Sequence, residues 1–268
     1  MKKLYINTGG FDAIFDNFKE SFGGDLLITA NEYKLTFKSK WASGSISGVR
    51  FEKEMTYLNF DLTFSQDVNL SIESNPLAPV FFAYCEKGNL YHSFGANGEI
   101  KCLKKQQSGI MSNSSAINSV LYFESHKNIQ FSLIGMPTNM NTTASDVTNQ
   151  VRSIFMHNSG NYIYVGAENQ FIGKKFQELK NIPQQGTVRY LLMRSILREV
   201  LELEIAQHSY NYLTPFKPVL KFAARQLGEI KKLSHIPLNT IAAPVHFLKR
   251  NLQSRTLALK PYSQKLAS

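Results

Sequence analysis

At 268 residues, with 43% apolar and 19% charged side chains, the chain has the size and composition of one large globular domain or two modest ones. No run approaches the ~18 apolar residues of a membrane span, and the opening MKKLYINTGG places Asn7, Gly9, Gly10 and Asp12 where a secretion signal needs its apolar stretch. The expected location is therefore the cytoplasm. The formal net charge of +10 is unevenly spread: residues 1–150 hold 13 Lys and Arg against 14 Asp and Glu, whereas residues 151–268 hold 17 against 6. From Ile205 onward, Glu229 is the single acid among ten basic side chains. A neutral front and a basic back imply two jobs. Nucleic acid is the usual partner of the second, with a solubilising surface as the plainer alternative. The two cysteines, Cys85 and Cys102, make no disulfide framework and read as small buried hydrophobes.

From Gly24 to about Gly135 the pattern predicts short strands: Leu26–Thr29, Lys34–Phe37, Gly44–Phe51, Thr56–Phe64, Val68–Glu73, Val80–Cys85, Leu90–Phe94, Gly109–Met111, Ser119–Glu124 and Ile129–Ile134. β-Branched and aromatic residues fill them, and Asn31-Glu32, Ser43-Gly44, Lys87-Gly88 and Ala96-Asn97-Gly98 mark turns. YLNFDLTF is the clearest: Leu58, Phe60, Leu62 and Phe64 face one way and Asn59, Asp61 and Thr63 the other, a strand with one buried face. After Pro137 the texture changes. Thr138–Ser145 is polar, Asp146–His157 has helical spacing, Tyr162–Val165 is a short strand-like piece, and Asn169–Leu179 is a short helix. Thr187 opens a long helix to about Tyr210, striped by Val188, Leu192, Ile196, Val200 and Leu203. Past Pro215 and Pro218, Val219–Leu233 predicts a basic amphipathic helix. The expected class is α+β: an N-terminal antiparallel β-barrel or sandwich followed by a helical, basic C-terminal region.

Signals for chemistry are sparse. No two of the histidines at 92, 126, 157, 208, 235 and 246 have metal-ligand spacing, although His92 and His126 sit near strand ends that can meet in space. Gly44-Ser45-Ile46-Ser47-Gly48 misses the nucleophile elbow by one place, and Glu52 and Glu54 flank Lys53 on a solvated edge. Neither a Walker loop nor a dinucleotide fingerprint occurs, so no metal, cofactor or enzymatic role is expected. Ligand binding without chemistry has a candidate in PVFFAYCEKGNLY and the residues just after it, where Phe81, Tyr84, Tyr91 and Phe94 can line a pocket mouth closed by a polar group such as His92; ordinary core is the plainer account. The Val188–Leu203 stripe has two uses, packing back on the β domain or pairing with its copy in a dimer.

Three blocks, GDLLITANEYKLTF, GSISGVRFEKEMTYLNFDLTF and FAYCEKGNLYHSFG, together with QQSGIM at 106–111, resemble bacterial transcription regulators of the AraC type. That resemblance implies a cupin-like effector and dimerisation domain over 1–136, a helical linker over 137–225 and a helix-turn-helix DNA-binding region over 226–268. QLGEIKKLS at 226–234, TIAAPVHFL at 240–248 and SRTLAL at 254–259 look like the family's opening helix, its next segment and the start of a recognition helix. Lys249, Arg250 and Arg255 would then contact DNA. KRNLQ is short for the family and has no turn glycine, and Pro261 breaks a recognition helix within about two turns. The expectation is a regulator truncated within its first helix-turn-helix: sensing an unidentified effector, a homodimer or heterodimer through the Thr187–Tyr210 helix, and weak or non-specific on DNA. The alternative is a stand-alone cupin-like small-molecule-binding or protein-interaction module with a solubilising basic tail.

Overall fold

The computed structural model describes residues 1–6, 10–51, 55–73, 80–113, 117–136 and 161–212. The chain divides into two compact units, Met1–Asn211 and Tyr212–Ser268. Within the first, β1 (Lys2–Ile6) leads to α1 (Phe11–Phe22). Strands β2 (Asp25–Thr29), β3 (Glu32–Lys38), β4 (Ala42–Phe51), β5 (Met55–Phe64), β6 (Val68–Ile72), β7 (Val80–Lys87) and β8 (Leu90–Phe94) follow. Next come β9 (Lys101–Leu103), β10 (Gln107–Asn113), β11 (Ser119–Phe123), β12 (Asn128–Met136) and β13 (Asn161–Glu168). Helices α2 (Gln170–Lys180) and α3 (Gly186–Tyr212) close the unit.

Among the described residues the strands form two sheets, one in the order β13-β10-β7-β12-β5-β4-β3-β2 and one in the order β1-β6-β11-β8-β9. All neighbours are antiparallel except β1 and β6, which run parallel. The α+β class and the β-sandwich are as the alternation predicts. β1, α1 and β9 are additional to the predicted elements, and β13 extends the larger sheet beyond residue 136. Gly44 is not in a turn: it lies inside β4 at φ 148°, and a Cβ there would collide with the Asp61 carbonyl of β5. A glycine is what allows the two backbones to approach so closely.

The core between the sheets is built by strand alternation. Leu35, Ile46, Phe60, Leu62, Phe131 and Cys85 point inward from the larger sheet, against Val68, Leu70, Leu90, Leu121 and Phe123 of the smaller one. Helix α1 adds Phe11, Phe15, Phe18 and Phe22, spaced four, three and four residues apart, so that all four rings fall on one face. Phe15 is completely buried among Phe11, Phe18 and Tyr33, and Phe22 stacks on Phe37 and Trp41. Gly48 of β4 makes room for this: a Cβ there would lie 2.8 Å from the Phe11 ring and 2.9 Å from the Phe15 ring. Tyr33 ties the helix down by donating its hydroxyl proton to the Asp12 carboxylate.

The second apolar layer lies on the outer face of the larger sheet. Val49, Phe51, Tyr57, Phe82, Tyr84, Ile110 and Ile134 point outward there and are covered by Ile172, Phe176 and Leu179 of α2 and Met193, Ile196, Leu197, Val200, Leu201 and Ile205 of α3. Among the described residues no helix is long and apolar enough to cross a membrane. Truncating Phe15 removes the centre of the α1 contact. Phe15→Ala is expected to cost about 3–5 kcal/mol in urea unfolding, the usual range for a buried phenylalanine, with the far-ultraviolet β signature retained.

Candidate functional site

Strand alternation divides the predicted pocket residues. Phe81, His92 and Phe94 point between the two sheets, His92 and Phe94 meeting edge to face at 4.8 Å. Tyr84 points the opposite way, under α2, where it stacks on Phe176 at 5.3 Å and reaches the Asn169 carbonyl at 3.4 Å. Tyr91 is half-buried on the other face of the smaller sheet, opposite Cys102. The five therefore do not line one mouth; Tyr84 and Tyr91 have the wrong parity in their strands. His126 stands at an exposed turn with φ 59°, five residues past the partner of His92 on β11, and the two histidines do not form a site. Among the described residues no three His, Cys, Asp or Glu side chains are grouped to hold a metal ion.

His92 is the unusual member. It is 1% exposed, follows Leu90 on the interior face of β8, and pairs across the ladder with Leu121. Neither ring nitrogen has a hydrogen-bond partner among the described residues. Burial alone holds its pKa down at about 4, so the ring is neutral. A buried donor and acceptor without partners are held at a cost, which sets His92 apart from its apolar surroundings. The sequence offered the residue but no hint of this isolation.

The outer face carries the second candidate. Asn169 caps α2, its Oδ1 accepting from the amides of Phe171 at 3.0 Å and Ile172 at 3.3 Å. α2 and α3 then run antiparallel, tied by three pairs along their length. The Asn169 amide donates to Gln207 Oε1 at 2.8 Å, Lys175 Nζ meets Glu199 at 2.6 Å, and Arg189 Nη1 donates to the Ile182 carbonyl at 2.7 Å. Arg189 Nε also donates to both Glu32 oxygens at 3.0 Å, fixing the start of α3 beside the β2–β3 hairpin.

This docking turns the predicted stripe. Ile196 and Val200 are buried on the sheet and Leu203 is half-buried against the same core, while Val188 and Leu192 remain 55% and 39% exposed. The five are thus not one free seam, because the sheet claims the arc from Met193 to Ile205. What stays open is an apolar patch of Val188, Leu191 and Leu192 at the start of the helix. Lys249, Arg250 and Arg255 lie outside the described residues, as do the predicted helices at 146–157 and 219–233.

Under the last turns of α3 lies a polar seam that the sequence reading missed. Glu204 is 2% exposed and His208 is buried one turn further on the same face. Ser108 of β10 is wholly buried against the Glu204 carboxyl, and its Oγ makes no hydrogen bond of regular geometry among the described residues. Burial pushes Glu204 up to about 8, the Ser108 hydroxyl offsetting only part of the shift. Burial lowers His208, whose ring meets Tyr162 and Tyr164 edge-on at 6.1 and 4.9 Å. A stripe of i, i+4 spacing from Val200 through Glu204 to His208 was the available signal, hidden because two of its members are ionisable.

No protein-family model and no curated protein matches the chain. Among solved structures it is similar to the AraC-like transcriptional activator CuxR, at 8% identity and a TM-score of 0.41, over 66% of this chain and 61% of that one. It is also similar to ToxT from Vibrio cholerae O395, at 10% identity and 0.35, over 56% and 55%. A third likeness is to a mutant oxalate decarboxylase of Bacillus subtilis, at 9% and 0.30, over 45% and 33%. The chain spans less than two thirds of each of these proteins. A transcriptional activator and a decarboxylase stand side by side among them, and no activity follows from the likeness.

The state of His92 has a measurable consequence. Its folded pKa is depressed, so its contribution to stability is complete above the unfolded value near ~6.5 and is lost as pH falls toward about 4. The loss expected over that window is on the order of 2–3 kcal/mol. His92→Phe is expected to abolish it and to match or exceed the wild type in denaturant midpoint at pH 5. An unchanged acid profile in the variant would contradict the assignment.

Proposed function

We propose that the chain works on the plan of an AraC-type regulator. The sandwich is a sensing module, the α2–α3 hairpin a dimer contact, and the basic segment at 213–268 an electrostatic contact to DNA. The observation that carries this reading is α3. It begins in an exposed apolar patch of Val188, Leu191 and Leu192, and its far end leads into a segment with ten basic side chains and one acid. One helix thus joins a surface suited to a second copy with a segment suited to a polyanion. The sequence blocks that resemble the family support the same plan. No reaction is assigned to the chain in this reading, and its effector is a small molecule that would meet His92 between the sheets. His92→Phe is the control for that role: a metabolite raising the melting temperature of the wild type should fail on the variant.

Dimerisation tests the plan directly. In light scattering after gel filtration at micromolar concentration the wild type is expected as a dimer, and Val188→Glu with Leu192→Glu as a folded monomer. A monomeric wild type favours the alternative, a stand-alone binding module whose basic segment solubilises.

The DNA contact is read as weakly selective, since KRNLQ has no turn glycine and Pro261 interrupts the expected recognition helix. Anisotropy titrations are expected to give similar affinities for unrelated duplexes and a steep loss with salt. Replacing Lys249, Arg250 and Arg255 by Ala should weaken every duplex alike, flattening the log–log salt slope by about one per phosphate contact removed. A strong preference for one duplex that survives high salt contradicts the weak-selectivity reading.

A further inference from the structure

Helix α3 is the covalent bridge from the sandwich to the basic segment at 213–268. Its second half is held on the sheet by Val200, Leu201 and Ile205 together with two buried ionisable residues, Glu204 and His208. Glu204 faces Ser108 of β10, and His208 sits against the rings of Tyr162 and Tyr164 of β13. Gln207 closes the rim: its amide donates to the Ala167 carbonyl at 3.2 Å and its oxygen accepts from Asn169. Gly166 faces this rim, where a Cβ would collide with the Gln207 amide. The titratable groups around the seam are Tyr84 of β7, Tyr162, Tyr164 and Glu168 of β13, and His208 itself. Among the described residues no cation acts on the Glu204 carboxyl. Ionised, it would be a buried charge without a counter-charge, which a protein interior does not tolerate.

We infer that Glu204 is a proton-operated latch: the second half of α3 docks on the sheet with the Glu204 carboxyl protonated, and its ionisation releases that half of the helix and the tether to the basic segment. The release does not depend on what residues 213–268 bind.

The sign follows from the two burials. The docked carboxyl keeps its proton to about pH 8, whereas a solvated one loses it near ~4.3, so docking weakens as pH rises between those values and no further. His208, lowered by burial, acts oppositely as pH falls below its solvated value near ~6.5. In acid the two act in opposite directions. Between about pH 6.5 and 8 Glu204 acts alone, and the undocking constant rises by up to about tenfold per pH unit, levelling off near 8, about 15-fold across the window.

Hydrogen exchange on the full chain at pH 6.5 and 8.0, corrected for the intrinsic rate, tests this. Protection of the α3 amides at 200–208 is expected to fall about 15-fold, with β5 and β12 unaffected. Glu204→Gln, which keeps the shape and a polar head toward Ser108, is expected to make that protection independent of pH. Constant protection in the wild type, or the same pH dependence in the variant, overturns the latch. Should the variant fail to fold, carbon-13 titration of the Glu204 carboxyl in the wild type decides: a midpoint near 8 supports the latch and one near ~4 overturns it.

Discussion

The structure depends on one sheet being buried on two faces but only over half of one of them. Its inner face is apolar throughout, from Leu58, Phe60, Leu62 and Phe64 on β5 to Ile129, Phe131 and Leu133 on β12. Its outer face changes character along the strands. On β5, Met55 and Tyr57 give way to Asn59, Asp61 and Thr63; on β12, Met136 and Ile134 give way to Ser132, Gln130 and Asn128. The helices cover the apolar half. The polar half satisfies itself across strands, Asp61 accepting from Asn128 at 2.7 Å and from Gln130 at 3.0 Å. At the border Ser132 meets Tyr57 at 3.3 Å and accepts from Asn59 at 3.0 Å, while Glu86 takes Lys180 of α2 at 2.6 Å. A helix pair could not slide further along without burying these groups unpaired.

Placement of the hairpin follows from that border, and so does the division of α3. A helix on a flat sheet can bury only one arc. Here the arc from Met193 to His208 goes to the sheet, leaving Val188, Leu191 and Leu192 beyond the covered region. The ties are mostly partly exposed ion pairs and amide contacts, each worth little alone. They set register and direction, while the apolar contact of Phe176, Leu197 and Leu201 with Tyr57, Phe82 and Ile134 supplies the adhesion. The end of α3 nearest the basic segment is the end where this adhesion is diluted by Glu204 and His208.

Much of this was legible in the sequence, and the failures have physical causes. Period-two alternation located most of the strands, and YLNFDLTF correctly gave its inward set. The same segment hid the second buried face, because its polar residues Asn59, Asp61 and Thr63 come from the uncovered half, one step after Tyr57. Helix α1 was readable from the four phenylalanines of FDAIFDNFKESF but follows a glycine pair that reads as a loop. On α3 the spacing Val188-Leu192-Ile196-Val200 and the spacing Met193-Leu197-Leu201-Ile205 are equally regular. A helix with apolar residues round a wide arc does not announce which edge will meet a partner, so periodicity alone could not choose. Tyr84 and Tyr91 leave the expected pocket for a simpler reason: proximity in sequence does not survive alternation, and neighbours in a strand point apart.

What remains is the meaning of the buried polar groups. His92 and the seam of Glu204 and His208 lie in different layers, and the cost of burial is met differently in each. Glu204 can relieve its own burial by holding a proton, so the state of the seam is set by pH and by whether α3 is docked. His92 has no such outlet. It is already neutral, and a neutral imidazole still has one donor and one acceptor to satisfy. Around it the interior offers Leu90, Leu121 and Phe94, none of which can serve. A hydrogen-bonding group brought between the sheets would therefore gain at His92 what it cannot gain from the apolar side chains around it. Entry would require displacing rings that now fill the core. The packing that stabilises the sandwich and the sensing proposed for its interior therefore pull against each other.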